Sequence, residues 1–276
     1  MTGLVRKGYE TVRNEGLRSA VRKTWTVLAG TLVDVIFPYL PALAVEYYFD
    51  VKSVCSSRMS DANPARPVWV DPDRIAYYHG TGPSGFGRVV GGDWDDPECR
   101  FDDHVVHRSL RQRYDEGRDW SETELYDRYA DRIDAGDPYW RCRTIEELEA
   151  YLESIDDLYE TISENGYESQ RALLSKNPDS VRRQNTDAPH PVLQEIGVNV
   201  YRDGTMAKKG AGFHRLSIAK LLGVERVPVT VRVRHAEWQS IRDEITDAES
   251  IQQLSPTARD HLHHPDVDAH APDSWT

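Results

Sequence analysis

The stretch that decides the fold reads IGVNVYRDG at residues 196–204, GFHRLSIAKLLG at residues 212–223 and VPVTVRV at residues 227–233. The first and last segments have the β-branched alternation of strands, and the Asp-Gly pair at the end of the first predicts a tight turn. The apolar spacing of residues 216–222 predicts a helix that Gly223 ends. The succession of strand, helix and strand predicts an α+β domain.

The turn that precedes this helix combines glycines with cations. Gly210 and Gly212 lead directly into His214 and Arg215. The first N–H groups of a helix are unpaired and carry partial positive charge, so they attract anions, and glycines let a ligand approach the backbone. Arg215 can clamp a phosphate with two hydrogen bonds, and His214 can donate a hydrogen bond or transfer a proton.

A second interpretation of the same turn is structural. The spacing is neither that of a P-loop nor that of the G-x-G-x-x-G fingerprint. Gly212 would then only permit a tight entry into the helix, while His214 and Arg215 would pair with nearby carboxylates. The residues alone leave both interpretations open.

The segment from Gly212 to Gly223, followed by Val227-Pro228-Val229, resembles the ParB/sulfiredoxin-like superfamily, including its haloarchaeal-type members. Residues 68–75 look like the opening strand and acidic turn of that superfamily. The resemblance implies a small mixed-sheet domain over residues 68–235, interrupted by a helical insertion at about residues 98–184. It also implies a nucleotide (ATP, ADP or CTP) whose phosphates lie on Gly210, Gly212, His214 and Arg215.

Members of this superfamily carry out different reactions, and this sequence departs from two of them. Phe213 stands where the sulfinic acid reductases have their catalytic cysteine, and no helix-turn-helix module follows the domain as in chromosome-partition proteins. We therefore expect an ATP- or ADP-dependent phosphotransferase acting on a small molecule or glycan precursor. The alternatives are a non-enzymatic nucleotide- or DNA-binding protein and a membrane-attached accessory protein. A DNA contact patch would use the basic N-terminal segment with Lys208, Lys209, Arg232 and Arg234.

An acidic turn at residues 93–96, with sequence DWDD, is the candidate for the second half of a catalytic site. Asp93 and Asp95 could hold Mg²⁺ together with the phosphates, and one of them could act as the base toward an acceptor hydroxyl. This role requires the turn to fold back near His214. The alternative is a solvated acidic loop of a salt-adapted surface.

Composition limits the function further. The chain has 276 residues and a net charge of −12, so it should not coat duplex DNA, whose phosphates would repel it. Arginine outnumbers lysine by 27 to 7, which together with the acidic excess suggests a salt-adapted host. The three cysteines, Cys55, Cys99 and Cys142, lie far apart, which predicts neither a disulfide framework nor a zinc site. We expect a cytoplasmic protein.

The N-terminal segment, residues 1–50, differs from the rest. Its first 24 residues carry six basic and two acidic side chains in a pattern that predicts a basic amphipathic helix. The next 21 residues, 25–45, contain one charged side chain, Asp34, but Pro38 and Pro41 interrupt them. One interpretation is a peripheral or re-entrant attachment to an anionic membrane, and the other is a buried helix with a Pro-rich turn. Residues 51–67 have the composition of a linker.

Helices are predicted on both sides of the 196–235 stretch. Ser121 with Glu124 and Thr144 with Glu147 have capping-box spacing, and the second helix should end at Gly166. We expect the aromatic side chains of this insertion to be packing residues, and His235 and Trp238 to line a site or to pack. Residues 236–276 predict one helix, 236–245, and then a loose acidic tail. A weak metal site is the alternative for the tail histidines, which are His261, His263, His264 and His270.

Overall fold

The computed structural model describes residues 35–138, 142–185 and 187–268, and the chain divides into two units, Met1–Pro41 and Ala42–Thr276. The described part of the first unit contains a short 3-10 helix, Phe37–Tyr39. The predicted basic helix and most of the apolar run precede residue 35, and so lie outside the described residues. In the described part of the chain, no helix is long and apolar enough to cross a membrane.

A seven-stranded mixed sheet organises the second unit. Its strand order is β1-β7-β5-β6-β2-β4, and β3 also pairs with β7. The pairs β5–β7, β3–β7 and β2–β6 are parallel, whereas β1–β7, β5–β6 and β2–β4 are antiparallel. The strands are β1 (Val68–Val70), β2 (Ile75–Tyr78), β3 (Arg88–Val90), β4 (Cys99–Arg100), β5 (Ile196–Val200), β6 (Met206–Lys208) and β7 (Val227–His235). The α+β prediction is confirmed at this level.

Helices occupy the predicted insertion and the C-terminal region. They are α1 (Ala42–Val54), α2 (Val105–Tyr114), α3 (Glu124–Asp134), α4 (Ile145–Asn165), α5 (Gln170–Lys176), α6 (Pro178–Gln184), α7 (Phe213–Leu221), α8 (Ala236–Asp247), α9 (Pro256–Asp260) and α10 (Pro265–Asp268). Thr144 caps α4 by accepting a hydrogen bond from the N–H of Glu147, and the helix ends before Gly166, as predicted. The prediction for Ser121 is wrong, because Thr123 caps α3 instead.

Two hydrophobic cores hold these elements. One lies at the sheet and includes β5, β7, α8 and the C-terminal residues, and the other lies among the helices α2, α3 and α4. Helix α7 joins them, because Leu216 belongs to the first core and Ile218 to the second. Trp120, Tyr126, Tyr129 and Tyr159 pack against the second core, which confirms the expected packing role of these rings. The start of α7 is therefore held from both sides.

Two segments expected to be loose are packed. Ala65 is fully buried inside the predicted linker, and Asn63 there donates a hydrogen bond to the carbonyl of Glu46 (2.8 Å). The predicted loose tail is wrong for residues 254–268, because Leu254, Ala258 and Val267 are buried in the first core. The prediction failed because the apolar side chains of this Pro- and Asp-rich segment form only a weak periodic pattern. They are buried because the sheet offers them an apolar surface. His270 lies outside the described residues.

Candidate functional site

The glycine turn lies against the start of β5. The N–H of Lys209 donates to the carbonyl of Gly197 (2.8 Å), and the N–H of Gly197 donates to the carbonyl of Ala211 (3.0 Å). Gly210 and Gly212 have positive φ angles, 71° and 89°, which only glycine adopts without strain. Gly212 is the N-cap of α7 and supplies no side chain to its free N–H groups. The backbone of this turn is therefore fixed. No side chain caps the N-terminus of α7, which follows the turn.

Two buried lysines lie beneath the turn. Lys208 is fully buried, with its ammonium 2.5 Å from the carbonyl oxygen of Gly210 and 4.5 Å from the centre of the Phe213 ring. Burial, and then the charges of Arg215 and Arg232, hold the pKa of Lys208 well below its usual range. The neighbouring Lys209 donates to the carbonyls of Gly80 and Gly82, and burial lowers its pKa as well.

Arg232 reaches the same turn from β7. Its guanidinium lies 4.3 Å from the Phe86 ring centre, and a Cβ atom on Gly210 would lie 2.9 Å from its Nη1. Its Nε is buried and has no hydrogen-bond partner among the described residues. Burial lowers the pKa of Arg232, and the charge of Asp187 opposes this shift. Arg232 therefore brings an unused donor and a partly desolvated charge to the turn.

Arg215, in the first turn of α7, is partly committed to the protein. Its guanidinium donates to the carbonyl of Gln194 and lies 3.6 Å from the carboxylate of Glu195, while its Nη1 has no hydrogen-bond partner in the described regions. Burial raises the pKa of Glu195 to about 7, although the charge of Arg215 opposes the shift. Because Nη1 is the atom that faces Glu195, Arg215 has the carboxylate partner that the structural interpretation expects, at a distance too long for a hydrogen bond.

His214 contacts the helical insertion rather than a carboxylate. Its Nε2 lies 3.1 Å from the hydroxyl of Tyr151 on α4. Burial, followed by the charges of Arg215 and Lys208, lowers the pKa of His214 to about 4. The imidazole is therefore neutral at pH 7 and can accept a proton or a hydrogen bond. The contact also gives the helical insertion a role at the turn, because Tyr151 on α4 orients His214.

Aromatic rings border the turn beside Lys208. The His104 ring stacks on Phe213 at 4.5 Å between centres and meets Tyr78 edge-on at 4.8 Å. Phe213 and Tyr78 are also in edge-on contact, at 5.1 Å. These three rings are half-buried and come from α7, β2 and the segment that precedes α2. They place flat apolar surface next to the cationic turn.

The acidic turn lies elsewhere. Both carboxylate oxygens of Asp95 bond Arg202 (2.7 Å each), which holds the pKa of Asp95 to about 2, and the exposed Asp93 pairs with the same arginine at 2.9 Å. Arg202 follows the end of β5, whereas Gly212 packs against Ile196 at its start. The two sites are thus separated by roughly the length of this strand, on the order of 13 Å. The structure does not bring Asp93 or Asp95 to His214.

Glu98 is the acidic side chain that sequence reasoning missed. It accepts a hydrogen bond from the N–H of Thr81 (2.5 Å), which lowers its pKa, and its charge acts on Lys209. No motif marks Glu98. It reaches the turn because it directly precedes β4 and its N–H donates to the carbonyl of Tyr78 on β2 (3.1 Å). Within the described ranges, no group of three or more His, Cys, Asp or Glu side chains could hold a metal ion.

The predicted DNA contact patch is divided by the fold. Lys208 and Lys209 are buried at the turn beside the half-buried Arg232, while Arg234 is buried in a separate pair with Asp266. Trp238 is fully buried and donates to Asp266 as well, so it packs rather than lining the turn. His235 likewise packs, with its Nε2 2.8 Å from the carbonyl of Gly92.

No protein-family model, curated protein or solved structure matches this chain.

Proposed function

We propose that this protein binds the phosphate groups of a nucleotide at the turn formed by residues 208–215. The observation that carries the proposal is an excess of partly or fully buried positive charge. Four cationic side chains, Lys208, Lys209, Arg215 and Arg232, converge on the turn, and the lysines and Arg232 have lowered pKa values. Buried charges of one sign are costly unless a counter-charge compensates them.

In the described part of the chain, carboxylates supply only part of that counter-charge. Glu195 titrates near neutrality, Glu98 is exposed, and Asp187 acts on Lys208 and Arg232 from an exposed position. A phosphate has the charge and the acceptor oxygens that the unused Nε–H group of Arg232 requires, and it can compete with Glu195 for its long contact with Arg215. Gly210 is exposed, so the anion can reach the turn from solvent.

Two further features favour a nucleotide over inorganic phosphate. The N-terminus of α7 points its free N–H groups at the turn, as in sites that bind a chain of phosphates. The rings of Phe213, His104 and Tyr78 pack on one another, and their half-buried outer edges give a base an apolar surface beside the turn. ATP, ADP and CTP all meet this description.

The reaction that we propose is phosphoryl transfer from ATP or ADP to a small molecule or glycan precursor. His214 is the candidate base, since its imidazole lies at the turn and is neutral at pH 7, and the negative charge of a bound phosphate would raise its lowered pKa. Glu98, rather than Asp93 or Asp95, is the carboxylate available to a Mg²⁺ ion held by the phosphates. A protein that binds the nucleotide without turnover is the alternative.

Calorimetric titration tests the binding site. ATP, ADP and CTP are titrated, with and without Mg²⁺, into the wild type and into Arg232→Gln and Lys208→Met. We expect each substitution to weaken binding at least tenfold. Arg202→Gln is the matched control, because it removes a guanidinium at the far end of β5 and should leave affinity unchanged. Absence of nucleotide binding by the wild type, or unchanged affinity in both variants, would contradict the proposal.

Phosphorus NMR tests the reaction. Nucleotide is incubated with candidate acceptors, including sugars, polyols and amino acids that carry a hydroxyl group, and the new phosphate ester is observed directly. We expect His214→Gln to retain nucleotide affinity and to lose at least a hundredfold in turnover. Nucleotide binding without any phosphate ester across the acceptors would favour the non-enzymatic alternative.

A further inference from the structure

Exposed apolar side chains are concentrated at the N-terminal end of the described structure. Nine large apolar side chains are exposed in the described structure, and eight of them lie within residues 35–54. Helix α1 carries five of them, namely Leu43 (73% exposed), Tyr47 (71%), Tyr48 (44%), Val51 (45%) and Val54 (89%). Leu43, Tyr47, Val51 and Val54 follow one another at intervals of four, four and three residues, so they form one stripe along the helix.

The opposite face of α1 is attached to the protein. Val45 and Phe49 are buried there. Glu46 and Asp50 both pair with Arg66, at 3.2 Å and 2.8 Å, and Glu46 also pairs with Arg171 of α5. These contacts fix the rotation of the helix, and the apolar stripe is held toward solvent by packing on the other side.

Charge identifies the partner that fits this stripe. Arg66 pairs with both acidic residues of α1, of which Glu46 is buried and Asp50 is partly exposed at the edge of the stripe, and Lys52 is the remaining charged residue of the helix. The 24 residues that begin the chain carry a net charge of +4, although the whole chain carries −12. A cationic segment followed closely by an apolar helix face that includes tyrosines matches an anionic lipid surface, where tyrosines favour the headgroup level.

We propose that α1 docks the protein on an anionic lipid bilayer, with Leu43, Tyr47, Val51 and Val54 entering the interface, and that the positive charge of residues 1–24 adds electrostatic attraction to the headgroups. The attachment is peripheral, because Pro38 and Pro41 interrupt the apolar run and the described helices are too short or too polar to span. This proposal is independent of the nucleotide site, which lies on other elements.

Vesicle flotation tests the proposal with the full-length chain. The probes are vesicles of phosphatidylcholine alone and of phosphatidylcholine with 30% phosphatidylglycerol, a composition of about the usual anionic content. We expect the wild type to float with the anionic vesicles, and Leu43→Glu/Val54→Glu to lower the partition coefficient at least tenfold. Trp69→Glu, which changes the one exposed large apolar side chain outside residues 35–54 of the described structure, is the control and should float as the wild type does.

Other occupants of the stripe give different results. If a second copy covered it, the double variant would convert a dimer to a monomer in light scattering with no change in flotation. If residues 1–34 covered it, the double variant would lower the melting temperature while the wild type stayed off vesicles. Either result, or equal flotation of the wild type with neutral and anionic vesicles, would overturn the proposal.

Discussion

Two clusters of buried charge lie along β7, and they differ in how the charge is compensated. In the first, the carboxylate of Asp266 accepts from Arg234 Nε (2.8 Å) and Trp238 (2.9 Å) and lies 3.5 Å from Arg242, which also pairs with Asp61. Although burial opposes ionisation, the two arginines hold the pKa of Asp266 well below its usual range. In the second, Lys208 has a carbonyl oxygen and a ring as its contacts.

The difference separates a structural cluster from a binding site. In the Asp266 cluster two carboxylates, Asp266 and Asp61, oppose two guanidinium groups, so the charge is compensated within the protein, although the buried Nη1 of Arg234 has no hydrogen-bond partner among the described residues. This cluster stabilises the attachment of the C-terminal residues to the sheet. A cluster with excess charge of one sign raises the free energy of the unliganded fold, and a ligand of opposite charge lowers it. A substitution that neutralises Asp266 should therefore lower the free energy of unfolding, whereas one that neutralises Lys208 should leave it unchanged or raise it.

Asp266→Asn should have the largest effect. It leaves Arg234 and Arg242 buried beside a neutral amide, and we expect the free energy of unfolding to fall by about 3–5 kcal/mol in urea titration. Asp93→Asn is the control, because Asp93 is exposed and should change stability by less than about 1 kcal/mol. A loss below about 1 kcal/mol for Asp266→Asn would show that the cluster is not compensated as described.

Glu195 should make stability at the turn depend on pH. Because its folded pKa, about 7, lies above its ordinary value of 4.5, the folded state holds the proton more tightly. Below about pH 4.5 the protonated Glu195 contributes fully to the free energy of unfolding. This contribution is lost as the pH rises from about 4.5 to about 7, and the total loss is about 3 kcal/mol.

Urea titrations of the wild type and Glu195→Gln across this range measure the difference between them. Histidines with pKa values lowered to about 4, such as His104 and His214, contribute the opposite slope in both proteins and cancel. A constant difference between the two proteins would show that Glu195 has an ordinary pKa.

Gly212→Ala should lower stability by about 2 kcal/mol. The new methyl group would lie 2.9 Å from the Cα of Ile196, and the φ of 89° adds strain of about 1 kcal/mol. Gly223→Ala at the other end of α7 is the matched control, since its φ is 63° and its Cβ would meet nothing within 4 Å. Thermal unfolding should show a smaller loss for Gly223→Ala; equal losses would mean that the turn relaxes away from β5.

Lys208→Met should have the smallest effect, and of opposite sign. Without ligand we expect the free energy of unfolding to be unchanged or to rise by about 1 kcal/mol, because a costly buried charge is removed. With saturating nucleotide the wild type should become the more stable protein. A loss of more than about 2 kcal/mol in the absence of ligand would show that the charge of Lys208 is already compensated.

Much of the fold is predictable from local patterns. Hydrophobic periodicity and helix capping act within a few residues. They predict the strands β5 and β7, the helix α7 and the helix α4 that Thr144 caps. Strand β6 is three residues long and carries no such signal, and it forms because it pairs with both β5 and β2. The packing of residues 254–268 could not be predicted, because the surface that buries their apolar side chains is formed by other elements.

The site divides in the same way. Gly210, Gly212, His214 and Arg215 could be named because they are neighbours in sequence at a helix start. Glu98 reaches the turn through strand pairing, and Tyr151 through the packing of α4. Asp93 and Asp95 illustrate the converse, because an acidic cluster gives no information about which end of the sheet its loop will reach.

By itself, the sequence determined the strand–turn–helix–strand order and the cationic glycine turn, because propensity, capping and glycine conformation are local properties. Only the tertiary structure decided which charges meet. Arg232 and Arg234 are two residues apart on one strand, yet the register between β5 and β7 shifts beside them, where Val198 pairs with Val231 and Asn199 with Val233. Such a shift changes which side chains share a face, so one arginine joins the turn and the other joins Asp266.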